Sequence, residues 1–312
     1  MFDPLRTLAA LILEAAVGYP ARLDRAIPHP VNWAGNAISW FELRWNRPAW
    51  SDASRRLLGV LTLLIVAGVP FLAGGLIDHL AASRLWALAL TVAVATTGLA
   101  QRSLYQHVHA VGAALGTGDL RLARLAVGRI VGRDVDRLEE AGIATAALES
   151  LAESFCDGVI APVFWFLFSG LAGLFAYKVV NTADSLIGHI EPRWRQFGWA
   201  AARCDDALNF FPARLSGALL ALAGAGGWRV MISDARKHAS PNAGWPEAAM
   251  AGALGVRLGG PVHYDGKLTA RPWFGTGRAP VAADIKRGLR IYLIACGILW
   301  ALLAAGALAW RH

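Results

Sequence analysis

Five apolar segments, separated by polar stretches of unequal length, dominate the chain. They lie at 57–77, 85–100, 159–177, 207–228 and 290–310. The first, third and fifth approach the ~20 apolar residues that a helix needs to cross a hydrocarbon core of roughly 30 Å, whereas the second is short for a full span. The pattern predicts an all-α, polytopic integral membrane protein with about four to five transmembrane helices and helical polar loops. Residues 1–312 are expected to form a single membrane-embedded domain.

The remaining stretches carry helical patterns of their own. Residues 5–17 are expected to form a helix with an apolar face. In 101–158 apolar positions recur at helical spacing with arginines between them, which predicts a polar helical insert. Asp119 ends a glycine-containing break and is expected to cap the next helix. Residues 178–212 and 229–289 are expected to be polar loops. Within the second of these, Glu247 is expected to start a short helix with its carboxylate near the N-terminus.

Three acids precede the third apolar segment at regular spacing. Glu149, Glu153 and Asp157 stand at i, i+4 and i+8, which puts three carboxylates on one face of a helix. Because like charges repel, the stripe indicates either a bound Mg²⁺, which prefers hard oxygen ligands, or a basic partner. The structural alternative is a solvated helix face paired to arginines.

The distribution of basic residues creates a conflict of topology. If all five segments cross the membrane, one side comprises 1–56, 101–158 and 229–289. These stretches hold 22 Lys and Arg, against 5 in the polar stretches of the other side, so the first side is expected to be cytoplasmic. The polar sequence NTADS would then lie across the membrane from the acid stripe. Either the third and fourth segments form a re-entrant or shallow pair, or the site is a polar cavity within the membrane.

Composition agrees with a membrane protein. The chain is 56% hydrophobic and 17% charged, whereas soluble domains contain about 25% charged residues. The formal net charge of +8 is explained by basic cytoplasmic loops and a surface suited to anionic substrates, so nucleic acid is not expected as a partner. Cys156, Cys204 and Cys296 have neither the spacing of a zinc site nor that of a disulfide framework.

Familiar catalytic motifs do not account for the polar residues. The chain lacks the phosphate-binding pattern GxxxxGK[ST], and its glycine-rich stretches have no Rossmann context. What remains is a pool of carboxylates, amides and basic groups. Such a pool suits Mg²⁺–phosphate chemistry, in which catalysis is largely positioning and charge neutralisation.

Several long motifs, in order, resemble one family. They are PHPV at 28–31, IVGRD at 130–134, ESLAES followed by DG at 149–158, NTADSLIGH at 181–189, FGWAAARCDDALNFFPARL at 197–215 and DARKHASPNAGWPEAAMAGALG at 234–255. Together they cover nearly the whole chain and resemble the CobD/CbiB family of cobalamin-biosynthesis membrane proteins, the adenosylcobinamide-phosphate synthases. Two positions depart from that family's usual pattern, Tyr19 and Ser154.

The resemblance implies an ATP-dependent acid–amine ligase of vitamin B12 biosynthesis, multi-pass in the cell inner membrane. Such an enzyme joins (R)-1-amino-2-propanol O-2-phosphate, or a related amino-alcohol phosphate, to adenosylcobyric acid and gives adenosylcobinamide phosphate. ATP and Mg²⁺ are the implied cofactors and the corrinoid is a substrate. Membrane lipid, other cobalamin-assembly membrane enzymes and further copies of the chain are the implied partners.

The candidate site residues follow from matching these motifs. The candidate catalytic residues are Glu149, Glu153, Asp157, Asp184, Asp205, Asp206, His238 and Glu247. The candidate substrate- and phosphate-binding residues are Lys178, Asn181, Arg203, Asn209, Arg214, Lys237, Ser240 and Asn242. The candidate metal ligands are Glu153, Asp157, Asp205 and Asp206. A base is needed to deprotonate the amine, and His238 and Glu247 are the candidates.

Two other function classes remain open at the level of sequence. One is an AmpE-like membrane sensor or regulatory protein without catalysis. The other is a small transporter in which intramembrane charges line a permeation path.

Overall fold

The computed structural model describes residues 3–82, 85–264 and 266–309. The chain divides into two compact units. The first unit comprises Met1–Ala100, Ala161–Asn209 and Leu303–His312, and the second comprises Gln101–Ile160 and Phe210–Leu302. Each unit has its own helical packing.

The described secondary-structure elements of the first unit are all helical. Its helices are α1 Pro4–Val17, α2 Ala21–Ala26, α3 Pro30–Trp45, α4 Asp52–Ala81, α5 Leu85–Ala95, α9 Ala161–Ile187 and α10 Trp199–Leu208, with a 3₁₀ turn at Thr96–Gly98. Its core packs α4 against α9, with α3 and α10 beside them. The helix predicted for 5–17 is confirmed as α1.

The second unit combines helices with four short strands. Its helices are α6 Gln101–Gly116, α7 Leu120–Val127, α8 Glu140–Phe155, α11 Phe210–Ala223, α12 Trp228–Asp234, α13 Gly244–Leu254 and α14 Ala282–Ala309, with a 3₁₀ turn at Ala235–Lys237. Strand β1 Leu258–Gly259 pairs antiparallel with β4 Trp273–Phe274, and β2 Val262–Tyr264 pairs with β3 Lys267–Thr269. The protein is mostly helical, but the prediction of a purely α fold missed these strands. Each strand is only two or three residues long, which is too short to show the alternation of apolar and polar residues that predicts a strand.

Three helices are long and apolar enough to cross a membrane. They are Asp52–Ala81, Glu140–Ile187 and Ala282–Ala309. The predicted count of four to five is not confirmed, since α5 and α11 have 11 and 14 residues and would extend only roughly 16 and 21 Å. The most apolar window of α4 is only 22% buried, whereas that of Glu140–Ile187 is 61% buried. The first therefore presents an apolar surface suited to lipid, and the second packs mostly within protein.

The long helix Glu140–Ile187 is interrupted twice. A π turn, Cys156–Ile160, joins α8 to α9. Within α9, Gly170 has φ 60°, a left-handed conformation that glycine adopts without steric cost. The Asp78 carboxylate lies at this break, where it accepts hydrogen bonds from the Leu171 amide at 2.7 Å and from Arg6 Nη1 at 2.9 Å. A buried ion pair therefore satisfies the backbone that the break exposes.

The two predicted polar loops contain helices. The first ten residues of 178–212 complete α9, where the hydroxyls of Thr182 and Ser185 donate to carbonyls one turn earlier. The helix ends only at Gly188, whose amide bonds to the Asp184 carbonyl at 2.7 Å. Residues 229–289 contain α13, most of α12 and all four strands. The predicted insert 101–158 is confirmed as helical, with the Asp119 carboxylate accepting from the Leu122 amide at 2.9 Å.

Candidate functional site

A polar cavity of about 610 Å³ lies in the second unit. Its walls are the loop 130–133, the face of α8 at 149–154, the turn 237–239, Glu247 of α13 and the segment 269–272. Five residues predicted from the sequence line it: Glu149, Glu153, Lys237, His238 and Glu247. Helices α8 and α13 pack against each other, and both are rich in small, fully buried side chains such as Ala147, Ala248 and Ala251. This close packing brings the acids of both helices to one cavity.

Glu149 is anchored on both carboxylate oxygens. Its side chain is 2% exposed. Oε1 accepts a 2.6 Å hydrogen bond from the Gly259 amide, and Oε2 accepts one from Arg133 and lies 3.6 Å from Arg271 Nη1. Because both of its oxygens have partners, Glu149 links Arg133 and Arg271 to strand β1.

Two consecutive glycines allow that strand to reach Glu149. Gly259 and Gly260 have φ values of 82° and 83°, in the left-handed region that disfavours other residues. A Cβ on Gly259 would meet the Pro272 carbonyl oxygen at 2.3 Å, and one on Gly260 would meet the Trp273 ring at 2.3 Å. The close approach fixes Pro272, the neighbour of Arg271, against β1.

Replacing Gly259 with alanine should therefore disturb the cavity as well as the backbone. The added methyl group combines left-handed strain, about 1–2 kcal/mol, with a collision that must displace the segment carrying Arg271. We expect a lower Tm in detergent. Gly118→Ala is the matched control, because Gly118 has φ 78° and no atom lies within 4 Å of the place that its added methyl group would take. Equal losses of Tm in the two variants would show that the collision is relieved without cost.

Glu247 is a buried acid with an unusual environment. It lies in the first turn of α13, as predicted, and its side chain is 1% exposed. Its Oε2 lies 3.6 Å from Arg271 Nη2 but has no hydrogen-bond partner among the described residues. Burial, together with the charges of Glu149 and Glu153, raises the pKa of Glu247 well above its ordinary value. Glu247 therefore keeps its proton to a higher pH than an exposed glutamate.

His238 faces Glu247 and Arg271 as a neutral ring. Its Nδ1 accepts the Ser240 amide at 2.9 Å, while Nε2 lies 3.2 Å from Arg271 Nη2 and 3.7 Å from Glu247 Oε1. Burial and the nearby Arg271 charge lower the pKa of His238. Because Nδ1 accepts the hydrogen bond from Ser240, Nε2 is the ring nitrogen that faces the Arg271 guanidinium and the Glu247 carboxyl.

Of the other residues predicted from the sequence in this unit, some line the cavity and others do not. Glu153 is exposed and lines the cavity, whereas Asp157 lies in the π turn, which changes the helical spacing, and is not part of the wall. Of the three acids predicted to share one helix face, only Glu149 and Glu153 line the cavity. Lys237 Nζ pairs with Asp234 at 2.6 Å at the edge of the cavity.

Ser240, Asn242 and Arg214 hold the loop before α13. The Ser240 hydroxyl accepts from the amides of Asn242 and Ala243, at 3.2 and 3.3 Å. Arg214 Nη1 donates to Asn242 Oδ1 at 3.0 Å, and its guanidinium lies over the Trp245 ring. These four contacts fix the loop between His238 and Glu247.

A second polar cluster lies in the first unit, between α9 and α10. Asp205 is 9% exposed. Its Oδ1 accepts from Asn181 Nδ2 at 3.2 Å and its Oδ2 from Asn209 Nδ2 at 3.0 Å, while Asn209 Oδ1 accepts from the Tyr177 hydroxyl at 3.0 Å. Burial raises the pKa of Asp205, although the two amide hydrogen bonds oppose this. The network joins the two helices through a satisfied buried carboxylate.

Changing Asp205 to asparagine should destabilise the first unit. The side-chain amide that replaces the carboxylate has only one oxygen, so its NH₂ group must face the NH₂ group of either Asn181 or Asn209. The two donors cannot bond to each other, and a buried polar group left unsatisfied costs about 1–3 kcal/mol. We expect a lower Tm in detergent. Asp206→Asn is the control, since Asp206 pairs at 3.2 Å with the mostly exposed Arg203 and such pairs contribute about 0–1 kcal/mol. An Asp205→Asn variant as stable as Asp206→Asn would contradict the role assigned to the network.

Comparison with known proteins decides the family. The model of the family described as CobD/Cbib protein matches residues 7–292. The chain belongs to the CobD/CbiB family. It is 44% identical over 313 residues to the cobalamin biosynthesis protein CobD of Rhodobacter capsulatus, covering 97% of each chain. It is 43% identical to the protein of the same name from Brucella anthropi, covering 96% of this chain and 95% of that one. No solved structure gives a significant match.

In this CobD/CbiB chain, the structure assigns cavity positions to residues that sequence reasoning missed. Arg133 lies in the IVGRD stretch, which marked it by motif only, and Arg271 lies outside every recognised motif. Gly259, which donates its backbone amide to Glu149, was also missed. So was Tyr177 of the first unit, whose hydroxyl donates to Asn209 in the Asp205 network. Their roles depend on contacts between distant parts of the chain.

The four candidate metal ligands of this family member do not form a preformed cage. Among the described residues, no group of three or more His, Cys, Asp or Glu side chains is placed to hold a metal ion. Glu153 and Asp157 belong to the second unit, and Asp205 and Asp206 to the first. Of the remaining candidates, Lys178 and Asp184 lie on α9 of the first unit, as Asn181 does.

Proposed function

We propose that this protein forms the amide bond between an amino-alcohol phosphate and adenosylcobyric acid, at the cell inner membrane, with ATP as the source of activation. A role in cobalamin biosynthesis follows from the family, and membrane character from the three long apolar helices. The ligation step, its cofactors and the inner membrane are the parts that we propose.

The cavity of the second unit is the observation that carries the proposal. It combines a buried carboxyl of raised pKa, Glu247, with an exposed carboxylate, Glu153, and with the cations Arg133, Lys237 and Arg271. Its volume of about 610 Å³ lies within the ~300–1,000 Å³ of small-molecule pockets. An amino-alcohol phosphate and the reacting carboxyl arm of a corrinoid suit such a space.

The reaction explains why both signs of charge are required. A carboxylate resists attack by an amine, so it is first phosphorylated by ATP, with release of ADP. The uncharged amine then attacks the carbonyl carbon, the C–O bond to phosphate breaks, and the nitrogen loses a proton. Cations neutralise the phosphate oxygens during both steps. The proton must pass to a neighbouring base or to water, and among the cavity residues the carboxylates are the available acceptors.

The residues of the cavity fit Mg²⁺ only together with a phosphate ligand. Mg²⁺ is commonly held by one or two carboxylates plus substrate phosphates and water. Glu153 would supply the protein ligand, with the hydroxyls of Ser150 and Ser154 on the same wall. The ion would neutralise phosphate charge, while Glu149 keeps the arginines in place.

The proposal is tested by a direct assay. Protein purified in detergent is supplied with ATP, Mg²⁺, adenosylcobyric acid and aminopropanol phosphate, and the products are analysed by mass spectrometry. We expect a product with the summed mass of the two substrates less one water, and none when ATP is omitted. If no amide forms while a control synthase is active, the ligase proposal fails, and the regulatory and transport alternatives become the leading ones.

A further inference from the structure

We propose that Arg133 and Arg271 form a phosphate-binding clamp, and that Glu149 is the residue that positions it. The clamp deepens the proposed function and rests on it for the identity of the natural ligand. The chemical class, a phosphate group bound by two guanidiniums, rests on the geometry of the cavity.

The two arginines reach the cavity from different walls and meet at one oxygen. Arg133 comes from the loop after α7 and Arg271 from the segment between β3 and β4. Both lie against Oε2 of Glu149, Arg133 in a hydrogen bond and Arg271 Nη1 at 3.6 Å. Their side chains are only 8% and 17% exposed. One carboxylate therefore holds two largely buried guanidiniums side by side.

Both guanidiniums lie against one oxygen of a single carboxylate. Glu149 supplies one negative charge for two guanidiniums, and its other oxygen is occupied by the Gly259 amide. Arg271 has Glu247 as its second acidic neighbour, at 3.6 Å, and burial raises the pKa of that carboxyl. Two like charges in a poorly hydrated site repel each other, so an added anion between them is stabilised.

A phosphate group matches the donors that the arginines present. The planar guanidinium forms paired hydrogen bonds to phosphate oxygens, and two guanidiniums match the double negative charge of a phosphate monoester. Lys237, which pairs with Asp234 at 2.6 Å, lines the cavity edge beside them. Glu247 Oε2, buried and without a hydrogen-bond partner among the described residues, lines the same space. A ligand that also carries a donor, such as an amine, would satisfy it.

A purely structural role for the arginines makes a different prediction. If the ion pairs serve only to hold the loop 130–133 and the segment 269–272 together, changing Arg271 lowers stability but leaves phosphate affinity unchanged. If the pair is a clamp, phosphate affinity falls even in variants that fold normally. Binding of a small probe without turnover separates the two roles.

The experiment measures binding of inorganic phosphate to the purified full-length protein in detergent, by calorimetry and by the rise of Tm with phosphate concentration. We expect Arg271→Gln to weaken phosphate binding at least about tenfold, as expected for the loss of a charge-assisted bidentate contact. Lys267→Gln is the control, because Lys267 is exposed on β3 outside the cavity wall, and it should bind as the wild type does. Arg271→Lys and Arg133→Lys keep the charge and should weaken binding less.

The outcomes are distinct. Wild-type protein that does not bind phosphate, or Arg271→Gln protein that binds it as tightly as the control, would overturn the clamp. If Arg271→Gln does not fold, the comparison rests on the two lysine variants, and unchanged affinity in both would also overturn it. Parallel titrations with aminopropanol phosphate and with a non-hydrolysable ATP analogue show which of the two ligands loses affinity when the arginines are changed. Phosphate binding without ligation would reject the proposed function and keep the clamp, whereas ligation with unaltered phosphate binding would do the reverse.

Discussion

Replacing Glu149 with glutamine is expected to lower the free energy of unfolding by about 3–5 kcal/mol, the cost of removing one partner from a buried ion pair. The 2% exposed carboxylate neutralises Arg133 and approaches Arg271, and a neutral amide leaves both guanidiniums without that charge. The amide nitrogen would also face a donor, either an arginine or the Gly259 amide. Thermal unfolding in detergent should give a much lower Tm, and ligase activity should be lost.

Glu153→Gln provides the matched control for stability. Glu153 is one turn further along α8 and is exposed to the cavity, so its change should shift stability by no more than about 0.5 kcal/mol. Equal Tm values for the two glutamine variants would show that Glu149 is not the anchor of the arginines.

Replacing Glu247 with glutamine is expected to raise Tm at alkaline pH while reducing turnover. The pKa of Glu247 is raised by burial and by Glu149 and Glu153, with Arg271 and Arg133 opposing this. A raised folded-state pKa means that stability is fully present below the unfolded pKa and is lost as pH rises toward the folded pKa. The wild type therefore loses up to about 1.4 kcal/mol per pH unit in that window, and glutamine, which cannot ionise, does not.

The measurement is the difference in Tm between variant and wild type at about pH 5 and about pH 8. The advantage of the glutamine variant should be small at the lower pH and larger at the higher one. Glu139→Gln is the control, since the Glu139 side chain is 80% exposed and should give no such trend. A constant or shrinking difference for Glu247→Gln would contradict a protonated buried acid.

The sequence predicted those elements that depend on local pattern. Length and hydropathy located α4 and α14, and the Asp119 cap located the start of α7. Hydropathy did not locate the end of α9, because polar residues such as Asn181 and Asp184 continue the helix to Ile187. Strands β1 to β4 could not be predicted, since they depend on glycine geometry and pairing rather than on alternation.

The candidate site was also predicted only in part, because local sequence pattern reveals residue type and spacing but not burial or long-range contacts. Spacing and motifs identified Glu149, Glu153, His238 and Glu247, which the fold brings to one cavity. They could not separate the anchoring role of Glu149 from the exposed position of Glu153, since burial decides that difference. Arg271 reaches the cavity through the Gly259–Gly260 turn and its pairing with 272–273, a contact that no local pattern reports.

The most direct test of the cavity as the ligation site is the rate of amide formation by Glu153→Gln and Lys267→Gln, assayed beside the wild type under equal substrate concentrations. Both variants should keep the wild-type Tm. Glu153→Gln should lose about 100-fold or more in rate, the order of loss when a preorganised polar group is removed from an active site, while Lys267→Gln should retain the wild-type rate. Full activity of Glu153→Gln would place the chemistry outside this cavity.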